Sequence, residues 1–413
     1  MSRYADIYWE SGQQLYRLRE IRLRSGWADA QALLRLEDRL RTTVDVLTSF
    51  DNRPAPGNAP GYFLYFAAGL RQSDPALRAE SYRGAYRALV TDDNTAEAAA
   101  NALALYPCSL SPATQAAMLN SPHAHRARLL RLWERQGVSL PADLLSGLDL
   151  STWSMTDRAA LLSHQANDPA VDINAFSSVY HRVNAGIEAE QRPLELILPG
   201  LWGARLRAQR DINDMVERLL KVKQSDPHYS ELARLAALLA AEELLPALVA
   251  YAEREPAHGV YCLGLFGKRA AVPYLLAHLE DVRTQQYAAE AWFWLTGERL
   301  PKRPRLHDAA ASTESLTPFT AQNDVVVDVA PAQSWWAANV ADWSPDERRI
   351  AGQAADADGM MKQLGLWSGA AGRDLLDLLA IMRQRPLGLS YRAWQRDIQR
   401  FSERRPVPDV AAA

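Results

Sequence analysis

Hydrophobic positions recur at three- and four-residue steps along most of this chain, the period of helices that bury one face. The pattern is clearest between Leu244 and Gly297, where it appears twice. The first copy reads LLPALVAYAE, a short break, then HGVYCLGLFG; the second reads AVPYLLAHLE, a short break, then TQQYAAEAWFWLTG. Pro246 aligns with Pro273, Glu253 with Glu280, and Gly267 with Gly297. Proline suits a first helical turn, where its missing N–H would have had no partner. Glycine suits a helix end, where the chain turns left-handed. Paired helices repeating at roughly 30 residues predict an all-α chain built as an α-solenoid of HEAT-like helical hairpins.

The same period sets the remaining elements. Residues 3–49 read as two helices joined near Ser25–Asp29. Ile7, Leu15, Leu18 and Leu23 mark the apolar face of the first, with Tyr8, Trp9 and Tyr16 nearby; Leu33, Leu36, Leu40, Val44 and Leu47 mark that of the second. The proline-rich stretch DNRPAPGNAP at 51–60 separates this hairpin from the solenoid. Helices are expected at 76–90, 95–106, 112–120, 123–136 and 156–165, with one or two more across 193–222. Ser73-Asp74-Pro75, Asn167-Asp168-Pro169 and Ser225-Asp226-Pro227 each place a capping residue before proline and read as helix starts. No strand is expected before residue 320. The stretch 298–330 reads as a long linker loop, with Val325–Val327 as a short edge strand. Helices resume at 331–340, 346–352, 358–366, 370–382 and 391–401. The expected organisation is an N-terminal helical hairpin (1–53), a solenoid (61–297), a linker (298–330) and a C-terminal helical module (331–405).

Composition narrows the setting. The chain has 413 residues, 48% of them hydrophobic and 23% charged, with a formal net charge of −3. These are ordinary values for a globular protein, and the net charge excludes a broadly basic surface. Only five of the 46 cationic residues are lysines, at 221, 223, 268, 302 and 362. This preference reads mainly as a compositional bias, although arginine also suits interface ion pairs. Cys108 and Cys262 lie far apart in apolar helical contexts and are expected to be small core residues in a reducing compartment. The polar start MSRYADIYWESGQQ lacks the apolar stretch of a signal peptide. No apolar run approaches the roughly 20 residues of a membrane span. A cytoplasmic location is expected.

No catalytic constellation emerges. His123 and His125 are two residues apart and would face different sides of a helix. His307-Asp308 reads as a solvated or capping pair in a loop. GAAGRD at 369–374 lacks the Lys-Ser/Thr of a phosphate loop and reads as a turn opening a helix. Glu242-Glu243 and Glu188/Glu190 read as solvated helix faces. No catalytic residue, cofactor site or metal site is expected. The tryptophans carry the sharper expectation. Trp292 and Trp294 flank Phe293 in one helix, and Trp335 and Trp336 are adjacent in another. Neighbours on a helix point about 100° apart, so a bulky pair cannot share one narrow stripe. Packing between modules is the simpler reading. The alternative is that Trp292, Trp294, Trp335 or Trp336 anchors a partner, since tryptophan is enriched in interface hot spots.

Three stretches carry a family resemblance. They are YWESGQQLYRLREIRLRSGWADAQALLRLEDRLRTTVDVL near the N-terminus, LGLFGKRAAVPYLLAHLEDVRTQQYAAEAWFWLTGERL in the repeats, and AQSWWAANVADWSPDERRIAGQ with its paired tryptophans. With these the chain resembles, over most of its length, a family of bacterial HEAT-repeat proteins often encoded beside type VI secretion genes. It departs from that pattern in 298–330, where the acidic-proline lead-in to the tryptophan pair is weak. The resemblance implies no catalytic residues. It implies a non-enzymatic scaffold for a protein partner: an effector, toxin or structural component of a type VI system, served as adaptor, chaperone or immunity protein. Two other classes compete with it. A HEAT-like DNA glycosylase would use Arg126, Arg128, Arg131 and Arg135 on one helix and Arg205, Arg207 and Arg210 on another, but interspersed acids and the net charge oppose phosphate binding. A chromophore-handling HEAT protein has no specific support in the residues. Neither a membrane nor a nucleic-acid partner is expected.

Overall fold

Several helices in this chain start at capping side chains, and several others stop where a residue turns left-handed. The computed structural model describes residues 3–50, 54–121, 125–207, 211–304 and 325–403. Asp29, Asn58, Asp74, Ser111, Ser154 and Asp172 each accept a hydrogen bond from a backbone N–H of the helix they precede, meeting donors that have no partner within the helix. The described residues form an all-helical fold with only two-stranded ladders and no closed sheet. None of their helices is long and apolar enough to cross a membrane.

The chain divides into two compact units, residues 1–210 with 360–413, and residues 211–359. The stretch expected to form one C-terminal module, 331–405, is shared between them. The first unit contains α1 (Arg3–Arg24), β1 (Ala28–Asp29), α2 (Ala30–Thr48), α3 (Ala59–Leu70), α4 (Pro75–Thr91), α5 (Asp93–Leu105), α6 (Pro112–Asn120), α7 (Arg126–Gln136), α8 (Ala142–Ser146), α9 (Met155–Asn167), α10 (Ile173–Val183) and α11 (Leu194–Arg207). The second contains α12 (Asn213–Val222), α13 (Tyr229–Leu239), α14 (Leu245–Arg254), α15 (Pro256–Phe266), α16 (Val272–Glu280), α17 (Gln285–Thr296), β2 (Lys302–Pro304), β3 (Val325–Val327), α18 (Ala330–Asn339), β4 (Arg349–Ile350) and β5 (Gln353–Ala354). The chain re-enters the first unit within α19 (Ala357–Leu366) and continues through β6 (Trp367–Ser368), α20 (Ala370–Arg383) and α21 (Gln395–Glu403).

In the first unit alternate helices pack in a row, α1 on α3, α3 on α5, α5 on α7, α7 on α9 and α9 on α11. The intervening α2, α4 and α10 pack beside them. One continuous apolar core runs through it, from Trp9 and Leu40 past Phe63, Leu103 and Trp133 to Leu162 and Trp394. The C-terminal segment is woven into the N-terminal hairpin. β6 pairs antiparallel with β1, and α21 packs on α2. The expected face of α2 is buried throughout. The expected face of α1 splits: Leu15 and Leu23 are buried with Trp9 and Tyr16, whereas Ile7, Tyr8 and Leu18 are exposed.

The second unit stacks three helical hairpins. α12 pairs with α13, α14 with α15 and α16 with α17; α13 packs on α15 and α15 on α17. Pro246 and Pro273 open their helices, each after one 3-10 turn. Gly267 and Gly297 close theirs at φ of 72° and 75°. A third copy of this device sits one period earlier, where Ala240 closes α13 at φ 51°. One segment ties the three helix ends together. The Arg348 guanidinium donates to the carbonyls of Ala237 (2.9 Å) and Leu238 (2.6 Å) on α13 and of Leu265 (2.5 Å) on α15. The adjoining backbone continues the tie, with Arg349 N–H on the Gly267 carbonyl and the Ala351 and Gly352 N–H groups on Trp294 and Leu295 of α17.

Several expected elements are corrected. The helix expected at 346–352 is the β4–β5 hairpin, because Ala351 and Gly352 both have positive φ and form a two-residue turn. Strands do occur before residue 320: β1, and β2 within the expected linker, which pairs with the expected strand β3. Asp168 ends α9 rather than starting a helix; its side chain accepts from Ala170 N–H and Ser139, and the next helix is capped by Asp172. Helix α8 is an addition to the expected set, and α10 is the helix whose start was expected at Asp168. His123 and residues 305–324, His307 and Asp308 included, lie outside the described residues.

Left-handed backbone costs an L-residue with a side chain about 1–2 kcal/mol, so Ala240→Gly is expected to stabilise the second unit by about 0.5–1 kcal/mol. Gly297→Ala should destabilise it by about 2 kcal/mol or more, because the new methyl would also lie 2.7 Å from the Ala351 carbonyl oxygen. Urea denaturation of the two variants reads both signs. Arg348→Lys should cost roughly 2–4 kcal/mol despite keeping the charge, since one ammonium cannot serve carbonyls on two helices in the same fork geometry. Hydrogen exchange at the ends of α13 and α15 should rise together; loss of protection at neither end would remove Arg348 as their tie.

Candidate partner-binding site

α17 carries aromatic bulk on several sides because it is covered on several sides. It packs against α15, α16, β3 and β4. A helix enclosed in this way can be apolar all round. Trp292, Phe293 and Trp294 are all buried. Trp294 lies 6.0 Å from the ring of Tyr261 on α15, and the Arg299 guanidinium sits 4.3 Å over Phe293. The expected surface member of this trio is therefore absent: Trp292 and Trp294 are packing residues that a partner cannot touch in this conformation.

Trp335 and Trp336 are brought together with Trp292 by a residue that carries no signal of its own in the sequence. Trp343, after α18, is wholly buried, and its indole N–H donates to the Glu347 carbonyl at 2.9 Å. Trp335 and Trp336 each meet it edge-to-face with centroids 6.2 Å apart, and Trp335 also meets Trp292 edge-to-face at 5.5 Å. These are the geometries that aromatic quadrupoles favour. The 100° between adjacent helical positions is thus bridged by a third indole lying off the helix. Trp335 and Trp336 remain half-buried. Arg349 stacks on Trp343 at 4.8 Å, and Arg269 donates to the Val340 and Trp343 carbonyls. Gln333 on α18 donates to Glu280 on α16. The cluster therefore holds two half-buried indoles on a braced platform.

Several ionisable groups of the first unit are held in structural contacts. Arg19 donates to Glu37 at 2.8 Å and stacks on Trp394 at 4.1 Å. Burial pushes the Glu37 carboxyl above its usual range, against Arg19 and the Gln395 N–H it accepts. Burial also raises Tyr16, whose hydroxyl accepts from Asn101. On Glu97 burial acts upward, but Arg135 and Arg392 prevail and hold the carboxyl below its usual value. Burial lowers His164, whose Nε2 meets the Val138 carbonyl at 2.8 Å. A cleft of about 420 Å³ is lined by Cys108, Gln115, Trp133 and Gln136 among others, none of them charged. Cys108 is half-buried and Cys262 buried. Among the described residues no group of three or more His, Cys, Asp and Glu is arranged to hold a metal ion.

Four of the seven arginines considered for phosphate binding are engaged within the chain. Arg126 donates to the Leu119 carbonyl, Arg128 to Leu89 and Asp93, and Arg135 to Glu97. Arg207 donates to the carbonyls of Gln165, Ala166, Asp168 and Val171, and burial lowers its pKa to about 10. Arg131 is exposed, Arg205 half-buried, and Arg210 lies outside the described residues. Comparison with known protein families, curated proteins and solved structures finds no match to the chain.

Trp343→Ala removes the indole on which the other two rest and should destabilise the second unit by about 3–5 kcal/mol; Trp336→Ala, half-buried, should cost about 1–2 kcal/mol. Urea midpoints with unchanged slopes would give the comparison. Equal costs would deny Trp343 its central place.

Proposed function

We propose that this chain is a non-enzymatic scaffold, an α-solenoid of HEAT-like hairpins that binds another protein. The observation carrying this reading is the stack of three hairpins in residues 211–359, with the half-buried Trp335 and Trp336 braced on Trp343 beside it. Stacked hairpins offer extended surfaces that suit macromolecular partners, and half-buried tryptophans can add contact area at little further ordering cost. Following the family resemblance, the partner is an effector, toxin or structural component of a type VI secretion system. The chain would then serve in the cytoplasm as adaptor, chaperone or immunity protein.

The test is affinity capture of the tagged full chain from its native cytoplasm, with mass spectrometry, beside a Trp335→Ala/Trp336→Ala form. The expected result is stoichiometric recovery of a type VI secretion protein, lost or weakened at least about tenfold in the double variant. Equal recovery by both forms would keep the scaffold and move the binding surface elsewhere. Salt-sensitive retention of nucleic acid with no protein partner would overturn the reading.

A further inference from the structure

α1 has two heptad faces. Positions 5, 9, 12, 16, 19 and 23 are buried within the first unit. On the opposite side Tyr4, Ile7, Leu18 and Ile21 are 70%, 55%, 48% and 65% exposed. Half-buried Ser11 and exposed Gln14 complete this outer line. The spacing 4, 7, 11, 14, 18, 21 alternates three and four, the a/d seam of a coiled coil. Such a seam has no use toward its own core, which the other face already fills. Glu10 and Arg17 flank it at equivalent positions one heptad apart, both exposed, and neither is in an ion pair among the described residues.

We propose that this face of α1 is a self-association surface, on which α1 of a second copy packs antiparallel. Charge selects the occupant and its direction. In the antiparallel register Ile7 meets the second copy's Leu18, Ser11 meets Gln14, and Tyr4 meets Ile21. That register sets Glu10 against the second copy's Arg17, twice by symmetry. In the parallel register Arg17 would instead face Arg22, a like-charge pair. The polar pair Ser11 and Gln14 at the centre fixes the register, because a heptad shift would bury them against Ile21 and Leu18 in one direction or against Ile7 and Tyr4 in the other. The interface is isologous, as a two-fold pairing requires. Six layers of side chains make it a small interface, with a dissociation constant on the order of micromolar.

The experiment is sedimentation equilibrium of the full chain, monomer mass 46.0 kDa, from about 1 to 100 µM at low salt. A concentration-dependent monomer–dimer equilibrium is expected. Glu10→Arg and Arg17→Glu alone should each weaken the dimer at least about tenfold by placing like charges together. The double variant Glu10→Arg/Arg17→Glu should restore it to within about threefold, since the swapped pair is again complementary. Circular dichroism and melting temperature should not move, as both positions are exposed. A chain that stays monomeric throughout, or a double variant as weak as the singles, would overturn the proposal. A seam used by a different protein would give the first of these results.

Discussion

An α-helix leaves its last four carbonyls without partners of its own, and a stack of short helices multiplies that deficit. Here arginine meets it again and again from a neighbouring element. Arg126 reaches the end of α6, Arg128 that of α4, Arg182 that of α8, Arg158 that of α10, Arg207 that of α9, Arg348 those of α13 and α15, and Arg269 the turn after α18. Helix C-termini also carry partial negative charge, so a cation there gains twice. A guanidinium offers five donors in a plane, which lets one side chain serve several carbonyls, as Arg207 serves four. The scarcity of lysine, a bias on composition alone, thus has a structural use. The same engagement keeps Arg126, Arg128 and Arg207 from forming a free phosphate-binding stripe.

Local chemistry is the part of this fold that is legible in the sequence. Prolines and glycines at equivalent places mark α14 to α17, and the capping residue Asp74 marks α4. The third hairpin is hidden because Ala240 occupies the left-handed position where its counterparts have glycine. The β4–β5 hairpin reads as helix because its backbone partners are not its neighbours in sequence: Arg349, Ala351 and Gly352 bond to the ends of α15 and α17. Trp343 is hidden for the same reason, since nothing around it announces that two tryptophans from α18 will rest on it. Periodicity also merges the two faces of α1, because a heptad seam and a core face are both apolar at three- and four-residue steps.

The return of the C-terminal segment to the first unit rests on a longer-range device. Glu37 on α2 accepts from Arg19 on α1 and from the backbone N–H of Gln395, 358 residues away in sequence. Arg396 pairs with Asp38, and Arg392 with Glu97. Trp394 inserts between these contacts, stacked on Arg19 and 6.2 Å from Phe63. An apolar replacement for the Arg19–Glu37 pair would cost little stability in principle, because burying two charges offsets most of their attraction. What apolar packing lacks is direction. A carboxylate that needs both a guanidinium and one particular amide accepts the C-terminal segment in a single register.

The same reasoning separates the two kinds of tryptophan in this chain. Trp292, Trp294 and Trp394 are enclosed by helices or buried ions, and their indoles fix where elements meet. Trp335 and Trp336 are only half-buried, and both rest on an indole that is itself pinned through Glu347 and Arg349. That support limits their rotamers while part of each side chain stays exposed, so little ordering remains to be done when something covers it. Preorganisation of that kind follows from the position of the β4–β5 hairpin, and that hairpin is placed by the unfilled carbonyls and left-handed ends of the helices beneath it.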